Sequence, residues 1–366
     1  MTSNLERAFE CCSVIINPVR YPKRANTLKK VLAQYSPVEM IVSRNKQHFV
    51  RSVKDFCESK NRYLLVWGGD GTVHTAINTM VEQQGTSSKP GRKCLGFFRG
   101  GSGNGYHNSY EVPFSPVEQV QAFARSIASS FIMDVDLIKL HHAGMVSYGQ
   151  LAGIGFDACA LKKRETKKLF FRNHRTKRGL FNYVISTMLS FFSSYKEALG
   201  EYTVRLSGGM YFFSTPKVNV EVPFNHMEKK VTSPLIEIGK RPFYGDSFKV
   251  CPHTVCNSGW MDVYLYNFES KFDAGKAIVA LWKGHHEALN RRFDRTGKPV
   301  IERFSVGDMR IESKDGFDYQ IDGELFHCRN PVSGKYTLKI SLVPGAVSLI
   351  VPEGFYRKFN IYGNST

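Results

Sequence analysis

The sequence lacks any stretch long and apolar enough to read as a membrane-spanning helix, which takes about 18 consecutive apolar residues. The nearest candidate, Leu180 to Tyr195, is interrupted by Asn182, Ser186, Thr187, Ser190, Ser193 and Ser194. It has no CxxC pair: its eight cysteines (11, 12, 57, 94, 159, 251, 256, 328) are scattered, which argues against a structural zinc site and against a dense disulfide framework. They are expected to be free thiols in a reducing compartment. The start of the chain, Met1 to Glu10, is polar and carries Glu6 and Arg7, so no secretory signal peptide is expected. Also absent is G-x-x-x-x-G-K-[ST]; Gly275-Lys276 is followed by Ala277 in a helical stretch. No HRD or DFG signature occurs, so P-loop and protein-kinase frameworks are excluded. No internal repeat or low-complexity tract is present.

Acidic residues are in deficit. Asp and Glu number 32 against 50 Lys and Arg, a net charge of +18 over 366 residues. Such an excess favours an anionic partner: nucleic acid, an anionic membrane or a phosphorylated small molecule. With 42% apolar and 22% charged residues the composition is globular, and the length suits two domains.

The first third alternates strand and helix signals. Ser13 to Asn17, Val38 to Ser43, Tyr63 to Trp67 and Leu95 to Phe98 read as strands. Between and after them, Lys23 to Tyr35, Asn45 to Ser59, Thr72 to Glu82 and Ser115 to Ser130 have helical spacing. That alternation predicts a parallel sheet covered on both faces, a three-layer α/β domain. From about Phe131 short strands with turn-like connections dominate, as at Ser207-Gly208-Gly209 and Ser333-Gly334, which predicts an antiparallel β-sandwich. Val146 to Ile154 reads as one of these strands, and Leu180 to Leu199 and Ala274 to Leu289 as two interrupting helices. The expected division is 1–135 and 136–345, with 346–366 returning to the first domain.

Two glycine turns follow consecutive strands of the first domain. Gly68-Gly69-Asp70-Gly71-Thr72 lies between a buried strand and a helix, where open α/β sheets bind ligands. Its glycines let backbone approach a ligand, and the helix N-terminus offers N–H groups to phosphate. An Asp in such a turn suits phosphate only with Mg²⁺ between them, or as a base, which favours phosphoryl transfer. The second turn, Arg99-Gly100-Gly101-Ser102-Gly103-Asn104-Gly105, should lie on the same sheet edge and hold the phosphate chain from the other side. Gly153-Ile154-Gly155-Phe156-Asp157-Ala158 formally fits GxGxxA, but no following helix is evident, so a dinucleotide site is not expected there.

Together these residues resemble the diacylglycerol kinase and sphingosine kinase superfamily, from Val14 to about Pro352. The GGDGT turn is its signature, with His74 and Asn78 placed as in sphingosine kinase-like members. Gly101-Ser102-Gly103-Asn104 resembles the family's second glycine loop, Asn17-Pro18 its opening strand end, and Ser43 its nucleotide-contacting hydroxyl position. Gly155-Phe156-Asp157-Ala158 resembles the GFDA stretch, Gly259-Trp260-Met261-Asp262-Val263 the G-x-L-D-V strand, and Asp322-Gly323-Glu324 the late DGE motif. The resemblance implies an ATP-dependent lipid kinase, with ATP and Mg²⁺ between the domains and a sphingoid, ceramide-like or diacylglycerol-like acceptor. It implies Asp70 and Glu324 as catalytic carboxylates, Asp70 also as the Mg²⁺-linked one. Nucleotide contacts would come from Asn17, Ser43, Gly68, Gly69, Gly71, Thr72, Gly101, Ser102, Gly103, Asp322 and Lys168. The chain departs from the pattern at Thr75, Arg99-Gly100, Val19-Arg20-Tyr21-Pro22 and Asn257-Ser258, and Leu161 stands where an acid would hold a sphingoid head group. A NAD kinase shares GGDGT but also uses a later Asn-Glu dipeptide, which does not occur here. A non-catalytic member of the fold is the other alternative; Thr75 and Ser258 favour it, and the intact Asp70 and Glu324 oppose it.

Nine basic residues crowd into Lys162 to Arg178 against Glu165, with Leu169, Phe170 and Phe171 among them. Such a segment can dock on anionic lipid at about 1 kcal/mol per basic residue, giving a cytoplasmic, peripherally membrane-associated protein. A solvated loop is the plain alternative. No nucleic-acid module supports RNA binding, and a homodimer is left open. His141-His142 and His285-His286-Glu287 lack HExxH spacing and are expected in the surface or core.

Overall fold

The computed structural model describes residues 7–18, 21–35, 38–87, 91–170, 195–214, 219–245, 248–268, 270–293 and 300–360; in a few helix and strand segments, 164–170 among them, only the backbone is described. The first part runs β1 (Cys12–Ile16), α1 (Pro22–Leu32), β2 (Glu39–Val42), α2 (Lys46–Glu58), β3 (Tyr63–Gly68), α3 (Asp70–Gln84), β4 (Cys94–Arg99), α4 (Gly105–Ser109) and α5 (Pro116–Ala128). The strands lie in the order β2-β1-β3-β4, all parallel. Every residue of β1, β3 and β4 is buried, as strands covered on both faces require. Helices α2 and α3 pack together, as do α1 and α5.

Local chemistry sets the helix ends. Pro22 opens α1, where its missing N–H costs nothing. Asn45 caps α2 by accepting the His48 N–H at 2.8 Å. Gly85, at φ 73°, ends α3 and donates its N–H to the Val81 carbonyl at 2.8 Å.

The second part is strand-rich: β5 (Ile132–His142), β6 (Met145–Gly149), β7 (Leu151–Gly155), α6 (Phe156–Phe170), β8 (Gly200–Ser214), β9 (Asn219–Ser233), β10 (Leu235–Gly239), β11 (Phe243–Tyr244), β12 (Phe248–Lys249), β13 (Met261–Tyr266), α7 (Lys271–Trp282), α8 (His286–Phe293), β14 (Ile301–Ser313), β15 (Phe317–Ile321), β16 (Glu324–Cys328), β17 (Tyr336–Ile350) and α9 (Glu353–Phe359). One antiparallel path, β16-β15-β7-β10-β13-β14-β17, folds around a shared core that includes Ile138, Ile154, Val204, Ile236, Val263, Phe304 and Leu338. Strand β17 joins the two parts. Its first half pairs with β14 and packs into that core, while Ser348 and Leu349 pair in parallel with Cys94 and Leu95 of β4.

Three expectations from sequence need correction. The GFDA stretch is followed directly by a helix, α6, beginning at Phe156. The Ala274 to Leu289 helix is two helices, broken at Gly284 with φ 74°. Val146 to Ile154 is two strands split at Gln150, whose side chain accepts from the Tyr110 hydroxyl at 2.9 Å and donates to the Asp136 carbonyl at 3.2 Å. Most of the Leu180 to Leu199 expectation lies outside the described residues.

Candidate active site

The two glycine turns meet backbone to backbone. The Gly100 N–H donates to the Gly68 carbonyl at 2.8 Å. A Cβ on Gly69 would come within 2.8 Å of the Gly101 Cα, so neither turn tolerates a side chain at the crossing. Asn104, left-handed at φ 54°, clasps Gly101 by accepting its N–H at 3.2 Å and donating to its carbonyl at 2.9 Å. The turn then feeds α4, whose first N–H groups are aimed at Asp70. Gly105 N–H donates to Oδ2 at 3.0 Å and Tyr106 N–H to Oδ1 at 2.9 Å. Burial raises the Asp70 carboxyl above its usual range, against the opposing pull of Arg241 and these two N–H groups.

Asp322 forms a second acidic position, in the left-handed turn between β15 and β16. Five groups donate to its fully buried carboxylate: the Tyr106 hydroxyl at 2.6 Å, the Gln150 and Leu151 N–H groups at 3.1 Å, Arg241 Nη2 at 3.1 Å and His74 Nδ1 at 3.3 Å. Burial pushes this carboxyl upward, but Arg241, His74 and Tyr106 outweigh it and hold Asp322 below its usual range. Asp322 is thus a fixed anion that binds the two parts of the chain together. Asn78, one turn beyond His74, adds to the same seam: it donates to the Tyr148 carbonyl at 2.7 Å and accepts the Tyr148 N–H at 2.9 Å.

Between these groups opens a cleft of about 430 Å³, within the range of small-molecule sites. Asn17, Gly68 to Thr72, Gly101 to Gly103, Asp322 and Glu324 line it, so the structure brings nearly all of the sequence-derived candidates to one cavity. Asn17 donates to the Thr72 hydroxyl at 3.3 Å. Glu324, half-buried, stands over Gly71, where a Cβ would meet its Oε1 at 3.1 Å.

Two candidates are not brought in. Ser43 is buried away from the cleft and donates to the Ile16 carbonyl at 3.2 Å. Lys168 lies on α6, but its side chain is outside the described residues. The departures also find places. Thr75 lines the cleft and turns its hydroxyl onto the Gly71 carbonyl at 2.8 Å. Arg99 is absent from the lining; it donates to the Val112 carbonyl at 2.7 Å and stacks on Phe114 at 4.1 Å. Leu161 presents an apolar surface to the cleft. Ser258 accepts from the buried Lys240 ammonium at 2.9 Å, which also pairs with Asp136 at 2.9 Å.

Sequence reasoning missed Arg241, Asn45 and Lys46, which line the cleft, and Tyr106, which holds Asp70 and Asp322. Arg241 donates to the Phe243 carbonyl and lies 4.4 Å over the Tyr106 ring. The available signal was a Lys240-Arg241-Pro242 triplet directly after an apolar strand, an unusual place for two charges.

The donor set suits a magnesium nucleotide. Among the described residues no group of three or more His, Cys, Asp or Glu could cage a metal by itself. Mg²⁺ prefers one or two carboxylates with substrate phosphates and waters, and Asp70 with Glu324 offers that kind of partial shell beside a glycine cradle.

Residues 12–140 match the model of the diacylglycerol kinase catalytic domain. No curated protein matches the chain in sequence. Among solved structures, a diacylglycerol kinase from Bacillus anthracis str. Sterne superposes with TM-score 0.60 at 15% identity, covering 94% of this chain and 97% of that one. Two further structures from that strain, carrying a provisional form of the same description, match with TM-score 0.60 at 15% and 17% identity, each covering 94% of this chain and 98% of its own. Residues 12–140 thus match a diacylglycerol kinase catalytic domain, and the chain shares its fold with these structures over nearly its whole length.

Proposed function

We propose that the protein transfers the γ-phosphoryl group of ATP to the hydroxyl of a lipid. The observation that carries this reading is the placement of Asp70 and Glu324 on one cleft, with two interlocked glycine turns forming its wall. In this reading the turns receive the phosphate chain, and Mg²⁺ on Asp70 supplies charge neutralisation when bound. Asp322 is committed to five donors and stays ionised, so proton acceptance from the lipid hydroxyl falls to Asp70 or Glu324. Asp70 suits the role because its affinity for a proton is raised by burial. Leu161 at the cleft wall favours an acceptor with an uncharged head, ceramide-like or diacylglycerol-like, over a sphingoid amine.

Membrane attachment through Lys162 to Arg178 belongs to the same proposal. Of that segment, Lys162 pairs with Asp318 and Lys163 with Glu197, both at 3.0 Å. Among the described residues no helix is long and apolar enough to span a bilayer, which is compatible with surface attachment. The reading is tested by incubating the protein with radiolabelled ATP, Mg²⁺ and a panel of sphingosine, ceramide and diacylglycerol. Label in a ceramide or diacylglycerol product supports it, and no labelled lipid from any acceptor contradicts it.

A further inference from the structure

The GFDA stretch is not used by the site described above, yet its acid is buried in a shared polar pocket. Strand β7 runs between β10 and β15, and Gly153 at its centre is opposite Glu237 on one side and Gln320 on the other. The three residues form a row across the sheet, with the middle side chain missing. Asp157, from the first turn of α6, fills that space: a Cβ on Gly153 would meet Asp157 Oδ2 at 2.9 Å, Gln320 Nε2 at 3.0 Å and Glu237 Oε1 at 3.0 Å. All three polar residues are 5% exposed or less.

The amide of Gln320 has both ends engaged. Its Nε2 donates to Asp157 Oδ2 at 3.3 Å, and its Oε1 accepts the Gly323 N–H at 2.9 Å. Gly323 and Asp322 form the two-residue turn between β15 and β16, with φ of 87° and 51°. Both positive values mark the tight hairpin turn that fixes the register of the strands it joins. Glu324 is the next residue, paired with Ile321. An amide that donated to the turn and accepted from the pocket would break both bonds, so the acceptor character of Asp157 selects the orientation that holds the turn.

We propose that Gln320, oriented by Asp157 and Glu237, is a positioning residue that sets where the Glu324 carboxylate enters the cleft. The inference rests on the lipid-kinase reading for its functional consequence, and on the hydrogen bonds alone for its structural one. The pocket has a defined proton inventory. Burial, followed by the charge of the adjacent Asp157 and a side-chain hydrogen bond with it, pushes Glu237 well above the usual carboxylate range. Burial raises the Asp157 carboxyl as well, and in either protonation state it keeps an oxygen that accepts from Gln320. Arg241, Cys251 and Tyr266 are the other titratable groups coupled to this pocket, and Arg241 is the cation among them.

The experiment compares wild type with Gln320→Leu, Gln320→Glu and the exchange variant Gln320→Glu/Glu237→Gln, using amide hydrogen exchange over residues 317–328 and lipid-kinase kinetics. Gln320→Leu is expected to lose protection at Gly323 and to lower kcat by about tenfold or more, with the KM for ATP changed little. Gln320→Glu still accepts from Gly323 but donates to Asp157 only when protonated, so its deficit should grow from pH 6 to pH 9. The exchange variant restores the acid count and should recover protection and part of the rate. Retained Gly323 protection in Gln320→Leu overturns the hydrogen-bonded relay, and lost protection with unchanged kcat overturns the positioning of Glu324. If Gln320→Leu does not fold, the pH profile of Gln320→Glu decides, a flat profile overturning the relay. A wild type without lipid-kinase activity removes the reading of function only, because the exchange data test the relay without it.

Discussion

Arg241 and Asp322 form an ion pair at 3.1 Å in which both side chains are almost wholly buried, at the seam between the parallel-sheet and strand-rich parts of the chain. The guanidinium also covers the Tyr106 ring, and Tyr106 in turn holds both acids: its N–H donates to Asp70 and its hydroxyl to Asp322. One residue that the motifs do not mark thereby fixes the two carboxylates that they do.

Replacing Arg241 with Met should cost about 3–5 kcal/mol, because Asp322 is left buried without its cation. Urea unfolding measures the loss. Arg241→Lys should recover only part of it, since a single ammonium cannot serve Phe243, Asp322 and the Tyr106 ring at once.

Lys240 is a second buried cation of this kind, held by Asp136, Ser258 and the Trp260 carbonyl. Lys240→Met leaves the Asp136 carboxylate unpaired in the interior, and a loss of similar size, about 3–5 kcal/mol, is expected in the urea midpoint. An unchanged midpoint would mean that Asp136 is satisfied by the Gly259 and Gly345 N–H groups alone.

Substitution of Gly101 by Val should disable nucleotide binding by at least about tenfold, measured by calorimetry with ATP and Mg²⁺. The added side chain is driven into the Gly69 backbone and separates the two turns. Gly334→Ala, a glycine in an open turn far from the cleft, should leave ATP binding unchanged.

Acid should destabilise the protein through two buried neutral histidines. Burial, followed by Arg99, pushes His107 down to about 3, and burial followed by His253 does the same to His286. Between about pH 6.5 and pH 3 the unfolded chain binds protons that the folded chain does not, so stability is full above this window and falls as pH drops through it. Each histidine contributes at most about 1.4 kcal/mol per pH unit. Urea midpoints at pH 7 and pH 5 should differ less in His107→Gln than in wild type.

The parts of the fold that were legible in the sequence are those set by local chemistry. Strand, glycine turn and helix follow one another within a few residues at Tyr63–Gly68 and Asp70–Gln84, and composition alone marks the change. Helix α6 was missed because Gly153 and Gly155 suggest a turn; the structure uses Gly155 at φ 90° for the turn itself and starts the helix at once. Arg241 was legible only as a charge placed directly after an apolar strand, not as the partner of Asp322. Its partner Asp322 lies 81 positions away, and only the sheet order, with β10 and β15 flanking β7, brings together the strands that precede them. The same holds for Glu237 and Gln320, which meet across Gly153 with no signature in either local segment.

The most direct test of the account is lipid phosphorylation by Asp70→Asn beside wild type, with urea unfolding and ATP affinity measured on both. The amide meets one of the two α4 N–H groups with its own NH₂, so a stability loss of about 1–3 kcal/mol is expected without unfolding. The account predicts a folded, ATP-binding protein whose lipid product falls by about a hundredfold or more. Product formation equal to wild type would contradict it.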